Sequence, residues 1–192
     1  MSKADIRNAG LKGRDGIDPE RQAAYADRLA REGLRLVQEF AGAAGAIVVS
    51  LYSPIGSEPD PGPLAVALQA AGHTLVLPVD WSTGTPLIYR RWVPGDRLAK
   101  GPLGISEPLE AAPALDPDVL FVPLAGFDRR GHRVGYGAGN VDRTLAHLRA
   151  RKRVRALGVA YAEQEMAWVP EDFHDEALDL VITDRETVIC GL

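Results

Sequence analysis

The sequence predicts an α/β protein of three layers, a mostly parallel sheet with helices on both faces. Two observations carry that prediction. Continuous apolar runs, several rich in β-branched residues, recur along the chain (GAIVVSLY, HTLVLPV, DVLFVP, VRALGVAY), and such runs mark strands buried on both faces. Segments with helical character separate most of them, so successive strands return through crossovers, whose right-handedness builds a parallel sheet. With 192 residues and 46% hydrophobic content, the chain has enough apolar material for one domain over 1–192.

Each element has its own signal. Residues 1–17 are polar and glycine-punctuated, with Lys3, Arg7, Lys12 and Arg14 closely spaced. They read as a frayed arm, or as a basic arm that orders on a polyanion such as ATP. Asp18 then Pro19 is an N-cap followed by a first-turn proline, and Tyr25, Leu29, Leu36, Val37 and Phe40 give a helix over about 19–40 one apolar face. GAIVVSLY is the next strand. It runs into SPIGSEPDPG, a loop carrying Glu58, which reads either as an ordinary exposed acid or as a ligand contact at a strand end. PLAVALQAAG is a short helix, and HTLVLPV completes a β-α-β unit. Residues 81–117 are less regular: PLIYRRW reads as a strand, VPGD as a turn and GPLGISEP as a loop with Glu107. After DVLFVP come a glycine-rich stretch, the helix TLAHLRA and the strand VRALGVAY, and ALDLVIT is the last main strand.

The chemistry gathers in PLAGFDRRGHRVGYGAGNVDR, residues 123–143. A strand, a glycine loop and a helix in that order form an anion cradle. Gly131, Gly135, Gly137 and Gly139 let the backbone turn its amides toward a phosphate at the helix start. Arg129, Arg130 and Arg133 add positive charge, and Asp142 brings a carboxylate to where a magnesium-bound polyphosphate needs one. The loop is neither a Walker A sequence nor the dinucleotide fingerprint, since no Gly-Lys-Ser/Thr follows and its glycines run GxGxG. Taken alone, it also fits a plain surface loop. Strand-end loops would bring Glu58, this loop and Asp175 to one side of the sheet.

Other classes fall away. One cysteine, Cys190, cannot form an intrachain disulfide and fits a reducing compartment. No apolar run approaches the roughly 18 residues of a membrane span, so a cytoplasmic protein without a membrane partner is expected. A formal charge of −4 argues against general nucleic-acid binding. The basic run RARKRVR, residues 149–155, reads as cations at a helix C-terminus. His73, His132, His147 and His174 show no HExxH, and no GxSxG elbow occurs. His174-Asp175 lacks the further ligands of a helical phosphohydrolase.

Several ordered motifs together resemble the 5-formyltetrahydrofolate cyclo-ligase (methenyltetrahydrofolate synthetase) family over nearly the whole chain: Lys3 with Arg7, SEPD, WVPGD with GISEP, the 123–143 block, and EQEMAWVPEDFHDEALD. The resemblance implies a NagB/RpiA/CoA transferase-like three-layer fold. It also implies an enzyme of one-carbon metabolism, in which Mg2+ and ATP drive closure of 5-formyltetrahydrofolate to 5,10-methenyltetrahydrofolate with release of ADP and phosphate. Its partners are then a reduced folate and ATP, and a monomer is expected. Lys3 and Arg7 match phosphate-binding cations. Arg133, Val134, Gly135, Tyr136, Gly137, Ala138, Gly139, Asn140 and Val141 match the nucleotide loop. Ser53, Glu58, Tyr136, Gly137, Gly139 and Asn140 match substrate-lining positions, Arg133 and Asp142 catalytic ones, and Asp142 and Asp175 the magnesium-linked acids. The family's GYGxGYYDR, or in some bacteria GYGxGHYDR, is GYGAGNVDR here, so Asn140 and Val141 replace one or two aromatic groups. That departure leaves a second reading open, a divergent paralogue that binds nucleotide or folate without turnover or acts on a related substrate. Trp92, Trp168 and Phe173 are candidates to supply the missing aromatic face.

Overall fold

The apolar runs form the inner strands of one sheet in the computed structural model, which describes residues 1–79, 84–101 and 104–191. In chain order the strands are β1 (Val48–Ser50), β2 (Thr74–Val79), β3 (Ile88–Arg91), β4 (Leu98–Lys100), β5 (Ser106–Pro108) and β6 (Val119–Pro123). They continue as β7 (Gly126–Phe127), β8 (Arg133–Val134), β9 (Arg155–Val159), β10 (Leu180–Ile182) and β11 (Thr187–Ile189). Among the described residues a seven-stranded sheet runs β11-β10-β9-β6-β1-β2-β3, while β4-β5 and β7-β8 are small hairpins. The inner strands β10, β9, β6, β1 and β2 are parallel, and both edge strands are antiparallel.

The two-residue alternation of a strand sorts its side chains into two cores. Val119 and Phe121 of β6 join Tyr25, Leu29 and Val37 of α2 (Pro19–Ala41) and Leu64 and Leu68 of α3 (Gly62–Ala70). Leu120 and Val122 face the other way, toward Leu145 and Leu148 of α4 (Asn140–Arg149). Helices on both faces of a mostly parallel sheet are the predicted three layers. Asp18 accepts from the Arg21 amide at 2.9 Å, and Pro19 opens α2 as expected.

The sheet order places the site. From β1 the chain winds outward through β2 to β3, and from β6 it winds the opposite way through β9 to β10. The C-terminal ends of β1 and β6 therefore diverge at a switch point, where α/β sheets open a crevice. The Glu58 loop follows β1 and the glycine loop follows β6.

Three expectations need correction. Residues 1–17 are not a frayed arm, because α1 (Lys3–Asp15) is a capped and buried helix. Ser2 and Asp5 make a reciprocal capping box, and Ile6 is fully buried among Val134 and Val169. The reading that this arm needs a polyanion to order overlooked that apolar anchor. GISEP is not all loop, since Ser106–Pro108 is β5 and pairs with β4; Pro102 and Leu103 lie outside the described residues. ALDLVIT is followed by a further strand, β11, whose three residues are too few to show a periodicity. The run 149–155 does sit at the C-terminal end of a helix, as expected, and there Arg149 and Arg155 both bind Asp179 and Lys152 binds Asp118, which ties the end of α4 to the sheet.

Candidate active site

A cavity of about 1120 Å³ occupies the switch point, above the roughly 300–1,000 Å³ of a pocket for one small ligand. Three stretches of chain, with Lys3 and Arg7 of α1, carry most of the polar groups in its lining.

The first is the loop after β1. The Ser53 hydroxyl donates to the Ser106 carbonyl at 2.6 Å, fixing the exit of β1 against β5. Glu58 is a buried acid, not an exposed one, with 7% exposure. Its Oε2 accepts from the Ile55 amide at 2.9 Å and its Oε1 from the Tyr136 hydroxyl at 2.7 Å. Burial pushes the Glu58 carboxyl up, while these two bonds and the Arg14 charge restrain it. Burial also raises the Tyr136 phenol, with Glu58 beside it, so its hydroxyl keeps the proton it donates.

The second stretch is the glycine loop. The β7-β8 hairpin delivers Arg133, whose side chain is 6% exposed and whose Nη2 donates to Asp142 Oδ1 at 2.6 Å. Burial lowers the Arg133 guanidinium below its ordinary value, and Asp142 opposes that. Asp142 Oδ1 also accepts from the Glu176 amide at 3.1 Å. Beyond Val134, the Gly135 carbonyl accepts from Arg7 Nε at 2.7 Å. Gly137 has φ +98° and Gly139 +67°, and a Cβ at Gly137 would stand 3.2 Å from the Arg7 guanidinium. The loop passes through Ala138 into α4, whose first turn carries Asn140, Val141 and Asp142. Asn140 Oδ1 accepts from Arg143 Nη2 at 2.8 Å, and Val141 packs partly buried against the α4-side core.

The third is the loop before β10. Lys3 Nζ binds Asp175 at 2.6 Å and Asp172 at 2.7 Å. Burial alone would lower Lys3 and raise Asp175, but the pairing reverses both: Lys3 stands above its ordinary value and Asp175 below. Every residue given a site role by the family resemblance lines this one cavity, from Lys3 and Arg7 through Ser53 and Glu58 to the 133–142 run and Asp175. Arg129, Arg130 and Gly131 of the expected anion cradle do not: Arg129 pairs with Glu165 and Glu186, and Arg130 with Asp128 and Glu171, so their charge is spent outside the cavity.

Sequence reasoning missed Asp172 and the part Arg14 plays beside Glu58. Asp172 carries no sequence signal. Arg14 would have emerged from helical spacing with Lys3 and Arg7 had the arm been read as a helix. Of the three candidate aromatics, Trp92 lines the cavity, Trp168 lies under the Arg130 guanidinium at 3.2 Å, and Phe173 is 96% exposed. His174 makes an edge contact to Phe173, with ring centroids 5.2 Å apart.

Among the described residues no three His, Cys, Asp or Glu side chains cluster to cage a metal. Asp142 and Asp175 both line the cavity and both act on the charge of Arg133. Magnesium in phosphoryl-transfer sites takes one or two carboxylates and completes its shell with phosphate oxygens and water, so this donor set fits it.

The geometry agrees with the comparisons. The model of the 5-formyltetrahydrofolate cyclo-ligase family matches residues 1–184. The chain belongs to that family. It is 30% identical to a 5-formyltetrahydrofolate cyclo-ligase of Mycolicibacterium smegmatis, over 98% of this chain and 96% of that one. An Escherichia coli 5-formyltetrahydrofolate cyclo-ligase is 29% identical over 88% of this chain and 93% of its own. The solved 5,10-methenyltetrahydrofolate synthetase of Aquifex aeolicus superposes with a TM-score of 0.75 at 28% identity, covering 98% of this chain and 93% of that one. Cyclo-ligase relatives at this identity over most of the chain make it a ligase and favour the enzyme over the non-catalytic binder. No helix among the described residues is long and apolar enough to cross a membrane.

Proposed function

We propose that the chain uses ATP to close 5-formyltetrahydrofolate to 5,10-methenyltetrahydrofolate, releasing ADP and phosphate. One observation carries this reading: a single cavity holds a cationic, glycine-lined wall from Lys3, Arg7, Arg133 and the 135–139 loop, together with a wall bearing Ser53, Glu58 and Tyr136. The first suits a polyphosphate and the second a pterin, and the volume suits both together.

A formamide oxygen is a weak nucleophile and a poor leaving group. The reaction therefore proceeds by phosphorylation: the formyl oxygen attacks the γ-phosphorus, ADP departs, and a phosphorylated imidate remains. N10 then attacks the formyl carbon and gives up its proton, and the formyl oxygen departs within inorganic phosphate. No covalent protein nucleophile is required, so the residues act by positioning and by neutralising charge. Lys3, Arg7 and the loop amides hold the phosphates, Arg133 meets charge developing on the transferred group, and Glu58 and Tyr136 orient the pterin. Asp142 and Asp175 would hold magnesium, which supplies neutralisation of the phosphate oxygens.

The test is the near-ultraviolet absorbance of the methenyl product, followed on mixing protein, 5-formyltetrahydrofolate and magnesium with and without ATP. An ATP-dependent rise is expected. Absence of the band while calorimetry still shows both substrates binding would overturn turnover and restore the binder.

A further inference from the structure

Arg14 lies at the end of α1 and is 4% exposed, a buried cation that stands outside the cavity lining. Such a group is kept only where partners hold it. Its side-chain partners serve the Glu58 wall. Nε donates to Ser57 Oγ at 3.0 Å, Nη2 donates to the Tyr136 hydroxyl at 3.2 Å, and Nη1 stands 3.7 Å from Glu58 Oε1. Ser57 Oγ in turn donates to Asp15. Nη1 has no hydrogen-bond acceptor, so its action on Glu58 is that of a charge. The Tyr136 oxygen accepts from Arg14, and its one hydrogen is therefore free to point at Glu58 Oε1, 2.7 Å away.

We propose that Arg14 is a positioning residue of the folate subsite, holding Tyr136 and Glu58 in the arrangement that presents a carboxylate acceptor to the N–H groups of the pterin. This rests on the reading above that Glu58 and Tyr136 contact the folate. Burial favours protonated Glu58, which would put a hydrogen where the pterin needs an acceptor; Tyr136, the Ile55 amide and Arg14 oppose that. The other titratable groups near Glu58 are Tyr52 at the β1 exit, Asp60 on its own loop, and Asp15 of α1 through Ser57. Arg14 is the only cation acting on Glu58 among these described neighbours. Lys3, Arg7 and Arg14 stand at i, i+4 and i+11, on one face of α1, so one helix carries cations for both subsites.

Arg14→Leu, Arg14→Lys and Glu58→Gln would be compared with the full-length parent by KM for each substrate and by the pH profile of kcat/KM for the folate. Arg14→Leu is expected to raise the folate KM roughly tenfold to a hundredfold, to leave the ATP KM within about twofold, and to move the acidic limb of the profile to higher pH. Arg14→Lys is expected to return the limb toward its original position while the folate KM stays raised, because an ammonium keeps the charge without the fork. Packing loss alone moves no limb. Should Arg14→Leu fail to fold, Arg14→Gln removes the charge while keeping polar bonds at the same place. A folded, uncharged variant with an unmoved limb and an unchanged folate KM overturns the proposal if Glu58→Gln does raise that KM. If Glu58→Gln also leaves it unchanged, the placement of the folate at Glu58 falls, and the proposal with it.

Discussion

Asp142 shows what a single side chain does in this site. It accepts from Arg133 and from the Glu176 amide through the same oxygen, and in the proposed reaction its second oxygen would hold a cation brought with the nucleotide. The side chain is 24% exposed, but it is the carboxylate partner of the buried Arg133 guanidinium. Asp142→Asn is expected to lower the unfolding midpoint, because Arg133 loses its countercharge, and to lower kcat of the folded variant about 10²- to 10³-fold, the scale set by losing one electrostatic contact to a transition state. Full activity with unchanged magnesium dependence would remove Asp142 from the machinery. Asn140 and Val141 differ in kind. Asn140 starts α4 and Val141 packs on the core while both also line the cavity, and Trp92 is an aromatic group that lines it from another strand end.

At the scale of elements, α1 carries the most consequence for its length. Gly10 lies flush on the chain after β6: a Cβ there would stand 1.7 Å from the Ala125 carbonyl oxygen. Ile6, fully buried, pins the helix between Val134 and Val169. That docking sets where Lys3 and Arg7 meet the glycine loop. Ile6→Ala is expected to weaken the docking by about 2–5 kcal/mol. Faster amide exchange confined to α1 and a raised ATP KM would show it; uniform exchange across the whole protein would instead make α1 part of the global folding unit.

Across the whole molecule, the acids of the site pull the pH dependence of stability in opposite directions. Glu58 is raised above its unfolded value, so it binds its proton more tightly in the folded state. Its contribution is fully present below the ordinary carboxylate value near about pH 4.3 and is lost as the pH rises through the raised folded value. Asp175 is held low and acts the other way, stabilising above about pH 3.9 and losing that contribution as the pH falls through its depressed value. The two windows separate. The urea midpoint of the parent is expected to decline as the pH rises above the ordinary carboxylate range, relative to that of Glu58→Gln, whatever the absolute offset between them. Parallel curves would show that Glu58 does not carry this pH dependence.

The layers, the inner strands and the glycine loop were legible because each rests on local pattern: GAIVVSLY and DVLFVP are buried runs in any context, and Asp18-Pro19 caps a helix by its own chemistry. The motif block from 123 to 143 also led by resemblance to residues that share one cavity. What the tertiary structure alone decided depends on contacts between residues far apart in the chain. The polar segment 1–17 is a helix because Ile6 finds an apolar socket built from Val134 and Val169, and Ser106–Pro108 is a strand because Leu98–Lys100 pairs with it. Arg14 could not be given a role from its own neighbourhood, since Tyr136 lies 122 residues away along the chain. Local sequence carries propensity and period; burial beside a distant partner, which sets the charge of Glu58 and the use of Arg14, exists only once the sheet has brought those partners together.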